Sequence, residues 1–142
     1  MLKIKKYTQN DEAKVLKLIR KVQLDAKPDK EILSRCVLIK DDDDIVGMVS
    51  YESHDDMGII RYFIYNACVA RADRLVEMFF ELYKTAYTNN IKRLIAKIPS
   101  LEVEKLFAML GFINVADDSL NLKTSSKQNM KIMLLNLEES FE

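Results

Sequence analysis

The sequence is short of the residues that break or cross-link a chain: 3 glycines, 2 prolines, 2 cysteines and 1 histidine in 142 positions. So little glycine and proline excludes collagen-like and low-complexity chains. A composition of 49% hydrophobic and 31% charged residues excludes a disordered one. Cys36 and Cys68 match neither a metal-ligand spacing nor a disulfide framework, so they read as reduced thiols and no metal is expected. A chain of this length can bury a core without such staples, and neither linker nor repeat divides it, so residues 1–142 read as one domain. Long apolar runs are missing too. The start alternates charged and apolar residues without the apolar stretch of a signal peptide. Met133, Leu134 and Leu135 form a run far too short to span a bilayer. The expectation is a cytoplasmic protein with no membrane partner.

Net charge is also absent, since 22 basic residues balance 22 acidic ones. The balance argues against general nucleic-acid affinity, which depends on neutralising phosphates. It hides a segregation. Residues 1–40 carry 11 basic and 5 acidic side chains (+6), and residues 41–60 carry 7 acidic and none basic (−7). The basic residues Lys3, Lys5, Lys14, Lys17 and Lys21 spread over a strand and a helix face as solvated lysines do. No aromatic platform accompanies them, so no nucleic-acid partner is expected.

What is present is periodicity. Residues 2–7 alternate as a half-buried strand. Thr8 and Asp11 resemble a capping box ahead of Val15, Leu16, Ile19 and Val22 at helical spacing, a helix to about Leu24. Pro28 and Asp29 open a short helix through Leu33. Residues 36–40 and 45–53 read as a hairpin around Asp41–Asp44. That acidic turn lacks the calcium-loop spacing of alternating ligands, glycine and distal glutamate. Residues 58–65, rich in Ile, Tyr and Phe, read as a well-buried central strand. Ala72, Leu75, Val76, Phe79, Tyr83 and Ala86 share one face of the longest helix, which Asn89 and Asn90 end. Phe79, Phe80, Tyr83 and Tyr87 are expected in the core, with Met78 and Met130 filling gaps. Residues 93–98 form a strand, Val103 to Leu110 a short helix closed by Gly111, and residues 112–115 and 131–137 the last strands, around a polar loop at 117–129. The order predicts an α/β fold: a mixed, mostly antiparallel central sheet of six to seven strands flanked by helices on both faces.

This order resembles the GNAT superfamily of acetyl-CoA-dependent N-acetyltransferases. Two cues carry the resemblance: Arg61-Tyr62-Phe63-Ile64 running into the long helix, and Leu106-Phe107-Ala108-Met109-Leu110-Gly111-Phe112, similar to the family's F-Y-x-x-x-G-F. It covers about Leu2 to Leu137. The resemblance implies a pantetheine between the fourth and fifth strands, bonded to the backbone of Phe63, Ile64 and Tyr65. It implies a pyrophosphate at the start of the long helix, near Arg71, Ala72 and Arg74. The family's Q/R-x-x-G-x-G/A sequence maps onto Ala70-Arg71-Ala72-Asp73-Arg74-Leu75, which contains no glycine. Either Arg71 and Arg74 hold the phosphates through their side chains, or Asp73 and Leu75 have closed the site to the cofactor. The family's general-acid tyrosine maps onto Phe107. Tyr62, Tyr65 and Tyr83 are the alternatives, with Tyr62 and Tyr65 on opposite sheet faces. Glu52 and His54 are the candidate bases. Cys68 reads as a small, half-buried residue rather than a nucleophile.

Two functions stay open. One is a divergent N-acetyltransferase that uses acetyl-CoA and a small amine or peptide amine. The other is a non-catalytic module that binds a partner protein or small ligand in the same cleft. Pairing through the C-terminal strands offers a route to a homodimer. The acidic turn is expected at the same end of the sheet as the start of the long helix, where it would disfavour a phosphate.

Overall fold

The computed structural model describes residues 2–115 and 131–140. The polar loop read at 117–129, and Met130, lie outside the described residues. In chain order the elements are β1 (Leu2–Lys6), a single 3-10 turn (Gln9–Asp11), α1 (Glu12–Val22), α2 (Lys30–Ser34), β2 (Val37–Asp41), β3 (Asp44–His54) and β4 (Met57–Tyr65). There follow α3 (Ala72–Thr88), β5 (Arg93–Ile98), α4 (Leu101–Met109), β6 (Ile113–Val115), β7 (Lys131–Asn136) and α5 (Leu137–Ser140). The strands form one seven-stranded sheet in the order β1-β2-β3-β4-β5-β7-β6. Every neighbouring pair is antiparallel except β4 and β5.

Local chemistry sets most boundaries. The Thr8 N–H donates to the Asp11 carboxylate at 3.0 Å, as the capping pattern implied. That carboxylate is buried and also meets Lys5 at 2.9 Å and Lys40 at 3.1 Å, tying β1, the 3-10 turn and β2 together. Asp29 accepts from the Glu31 N–H at 3.3 Å to start α2, and Ser100 accepts from the Val103 N–H at 3.3 Å to start α4. Gly111 ends α4 with φ 99°, a conformation a side chain would strain. Asp42 and Asp55 take positive φ at the tips of the two hairpins, a region aspartate tolerates.

Alternate residues of each strand supply two cores on opposite faces. Val37, Ile39, Val49 and Tyr51 face α3 and α4, where Leu75, Phe79, Tyr83 and Phe107 complete one cluster. Cys36, Leu38 and Met48 face α1 and α2, where Val15, Ile19 and Leu33 complete the other. One end of the β4–β5 junction is pinned by backbone bonds. The Lys92 N–H donates to the Asp56 carbonyl at 2.7 Å, and the Leu137 N–H to the Lys92 carbonyl at 2.8 Å.

Four expectations need correction. Strand β4 is only half-buried, with Gly58 its one fully buried residue, because most of its length has no strand on the β5 side. On α3, Phe80 and Tyr87 are 56% and 43% exposed, while Phe79, Met78 and Tyr83 are buried. A helix turns about 100° per residue, which carries Phe80 off the face that Phe79 and Tyr83 share. Cys68 is exposed in the β4–α3 connection, where its N–H bonds Asn66 Oδ1 at 3.0 Å. The chain also turns helical again at α5, where the Asn136 carboxamide accepts the Glu138 N–H at 3.0 Å.

Candidate functional site

Strands β4 and β5 pair only where Met57, Gly58 and Ile59 face Arg93, Leu94 and Ile95. On its other side β4 stays paired to β3 as far as Tyr65 opposite Gly47. Beyond Ile59 the two parallel strands part. Gly58 keeps the closed end tight, for a Cβ there would lie 2.8 Å from Leu94 Cδ2 and 2.9 Å from Tyr51 Cδ2. Farther along, rings take the place of backbone pairing. Phe63 of β4 meets Phe79 of α3 edge-on at 5.0 Å and Phe107 of α4 edge-on at 5.6 Å.

The gap holds a cavity of about 340 Å³. Strand β4 lines it with Ile60, Arg61, Tyr62, Phe63 and Tyr65; β5 adds Ala96 and Lys97, and Pro99, Val103 and Phe107 close it. Ile60 and Phe63 belong to the α3-side core and Tyr62 to the α1-side core. Residues of both sheet faces therefore line the cavity, and beyond Ile59 one edge of β4 has no ladder partner among the described residues.

The structure brings some expected residues together and separates others. Tyr65 stacks on Phe63 at 5.0 Å, on the opposite face from Tyr62, and both tyrosines line the cavity. Ile64 packs against the α1-side core. Glu52 lies beside the cavity and contacts Arg61 Nη1 at 3.5 Å and His54 Nε2 at 3.4 Å. Tyr83 is remote: its hydroxyl donates to the Leu110 carbonyl at 2.7 Å, and burial raises its pKa. Phe107 sits in the ring cluster, 3% exposed. Lys97 and Gly58 were not singled out in the sequence, and Arg61 entered only as part of the β4 motif. Arg61 carries a visible signal, as the single charged residue in an otherwise apolar strand.

A second part of the site is the start of α3. Arg71 is its N-cap and Ala72 its first residue. The N–H groups of Ala72 and Asp73 have no acceptor among the described residues, as a helix start leaves them. Arg71 is exposed, whereas Arg74 pairs with Glu77 at 2.9 Å. Leu75 is buried beneath α3, and Asp73 is exposed in its first turn. The acidic turn does lie at this end, since Asn66 N–H donates to the Val46 carbonyl at 2.8 Å. It is not alone there. Lys14, Lys17 and Lys21 of α1 line a pocket with Asp44 and Asn66, and Lys14 Nζ donates to the Asp43 carbonyl, so cations stand beside the acidic turn.

No protein-family model and no curated protein matches the chain by sequence. Solved structures do match by shape. An acetyltransferase of the GNAT family from Staphylococcus aureus Mu50 superposes with TM-score 0.72 and 15% identity, over 96% of this chain and 99% of that one. The fold is the GNAT fold. A protein named as an acyl-CoA N-acyltransferase from Klebsiella pneumoniae gives TM-score 0.76 at 14% identity, over 96% of this chain and 98% of that one. N-acetylglutamate synthase from Neisseria gonorrhoeae, solved with coenzyme A and N-acetylglutamate, gives TM-score 0.74 at 18% identity over 96% of this chain. The present chain spans only 35% of that synthase. In the GNAT fold seen here, the parted β4 and β5 stand where the sequence resemblance put a pantetheine.

Proposed function

We propose that the chain is an N-acetyltransferase that transfers the acetyl group of acetyl-CoA to a small amine or peptide amine. The observation that carries this reading is the cavity where β4 and β5 part, lined from both sheet faces, because a thioester and an amine could then approach from different sides. The unpaired edge of β4 at Phe63, Ile64 and Tyr65 offers N–H and C=O groups to the amide-bearing arm of the cofactor. The free N–H groups at Ala72 and Asp73, the helix dipole and the Arg71 guanidinium offer an anion site. Arg74, held by Glu77, serves at its edge.

In the reaction the neutral amine attacks the thioester carbonyl. The C–S bond breaks, the thiolate takes a proton, and the new amide nitrogen loses one. Tyr65, which stacks on Phe63, is the candidate to protonate the thiolate, and Tyr62 faces the other side. Glu52 reaches the cavity through Arg61 and is the candidate base, with water between it and the amine. No metal is needed for this chemistry.

Thermal shift with acetyl-CoA tests the reading. It predicts saturable stabilisation, about 2.7 kcal/mol at 100 times Kd, that Arg71→Glu weakens. No shift at millimolar acetyl-CoA sinks it. Binding without turnover of any amine would instead support a ligand-binding module in the same cleft.

A further inference from the structure

The charged residues that line the cavity are of one sign. Its lining includes two ionisable groups that are charged at neutral pH, Arg61 and Lys97, and both are cations. They stand on the same side of the sheet. Lys97 alternates with Ala96 and Ile98, which face the α3 core, so it points the other way. Arg61 lies over the Tyr62 ring, 5.4 Å from its centre, and Tyr62 packs on the α1 side. Lys97 has no ion pair among the described residues. Arg61 touches Glu52 through Nη1 at 3.5 Å, and its other donors meet no acceptor among the described residues. Glu52 and the exposed His54 lie behind it, outside the lining.

We infer that the acceptor is an amine that carries a carboxylate, held by Arg61 and Lys97 at the α1-side mouth of the cavity. This rests on the acetyl-transfer reading for the word acceptor, but the carboxylate site stands on its own lining. The planar guanidinium fork matches a carboxylate, and Lys97 adds a second charge. The same pair repels polyamines and lysine-rich peptides. It also disfavours the charged form of an incoming ammonium, so more of the acceptor arrives as the neutral nucleophile.

The test is binding to the full chain without acetyl-CoA, followed by backbone amide NMR shifts. The probes are L-glutamate for a free amino acid, the peptide Gly-Glu-Glu for a peptide carboxylate, and spermidine for a polycation. At least one carboxylate probe is expected to shift Arg61, Tyr62 and Lys97 and to bind at least ~10-fold tighter than spermidine. Arg61→Glu with Lys97→Glu is expected to reverse that order, and Lys97→Glu alone, at an exposed site, to narrow it if the double variant fails to fold. The inference is overturned if neither carboxylate shifts these residues, if spermidine binds as tightly, or if Lys97→Glu leaves the affinity ratio unchanged. Carboxylate binding here without any acetyl-CoA binding would sink the acetyl-transfer reading alone. Acetyl-CoA binding without carboxylate binding would sink the inference alone.

Discussion

The two sides of β4 are built on different principles. Towards β3 it is zipped along nearly its whole length, from Met57 opposite His54 to Tyr65 opposite Gly47. Towards β5 it is paired for three residues, and beyond them Phe63 packs on rings of α3 and α4. A backbone ladder leaves no room for a ligand, because every N–H and C=O is used. A junction held by rings leaves the strand edge free and still keeps the halves of the sheet together. The difference teaches where this fold can bind something and what must substitute for lost hydrogen bonds. The substitutes are Phe63, Phe79, Phe107 and Phe112, whose rings meet edge-on at 5.0 to 5.6 Å.

The comparison breaks most directly at the rings. Phe107→Ala is expected to cost about 4 kcal/mol in denaturant unfolding. The exposed Phe80→Ala should cost less than about 1 kcal/mol. Equal costs would mean that the rings do not bridge the gap. Next comes the closed end: Gly58→Val drives a branched side chain into Leu94 and the rigid Tyr51 ring, at a cost of up to about 3 kcal/mol. It should also widen the cavity mouth and weaken acetyl-CoA binding, whereas a stability loss without any binding change would separate the two.

In the zipped half, acid is the lever. Burial alone would raise the Asp11 pKa, but hydrogen bonds from Lys5, the Thr8 N–H, Lys40 and the Thr8 hydroxyl outweigh it and hold the carboxyl well below the usual range. A depressed carboxylate stabilises the fold fully above its unfolded pKa near ~3.9, and that contribution fades as pH falls towards the folded value. About 2 kcal/mol should disappear between roughly pH 5 and pH 2. Asp11→Asn should flatten that dependence, as read from denaturation midpoints across the range. An unchanged pH profile in the variant would remove Asp11 as its cause. The smallest effect sharpens the contrast without touching stability. Cys36 lies in the α1-side core with its thiol pushed up to about 12 by burial, which a hydrogen bond with Ser50 offsets in part. Cys68 is exposed beside the open junction. A maleimide at pH 8 should label Cys68 alone, with Cys36 reacting only after unfolding.

Most elements were legible because their signals are local. Apolar spacing on α1 and α3, the Thr8 and Asp11 pattern, Asp29 ahead of α2, Gly111 at a helix end and aspartates at a hairpin tip each act within four residues. The parting of β4 from β5 is not local. It depends on where a strand 36 residues later comes to rest, so the apolar run 58–65 read as a buried strand while its edge in fact stays open. The same distance hid Lys97 and Gly58, which acquire meaning only beside Arg61 and Leu94. On α3 the error was one of phase, since aromatic residues at mixed spacing suggested a single stripe where Phe80 and Tyr87 fall off it. Of the candidate site, Tyr62, Phe63 and Tyr65 share the cavity, while Glu52 stands one side chain back from it.

The bonds from Lys92 to Asp56 and from Leu137 to Lys92 fix the narrow end of the V at the base of β5. Geometrically they act as the pivot of a pair of tweezers. β4 and β5 are the arms, and the α3 and α4 rings are the material between them. A fraction of an ångström at the pivot becomes a larger displacement at the tips, near Tyr65 and Ile98. Asp56 and Lys92 thus bear on the width of the mouth although neither is in the lining of the cavity.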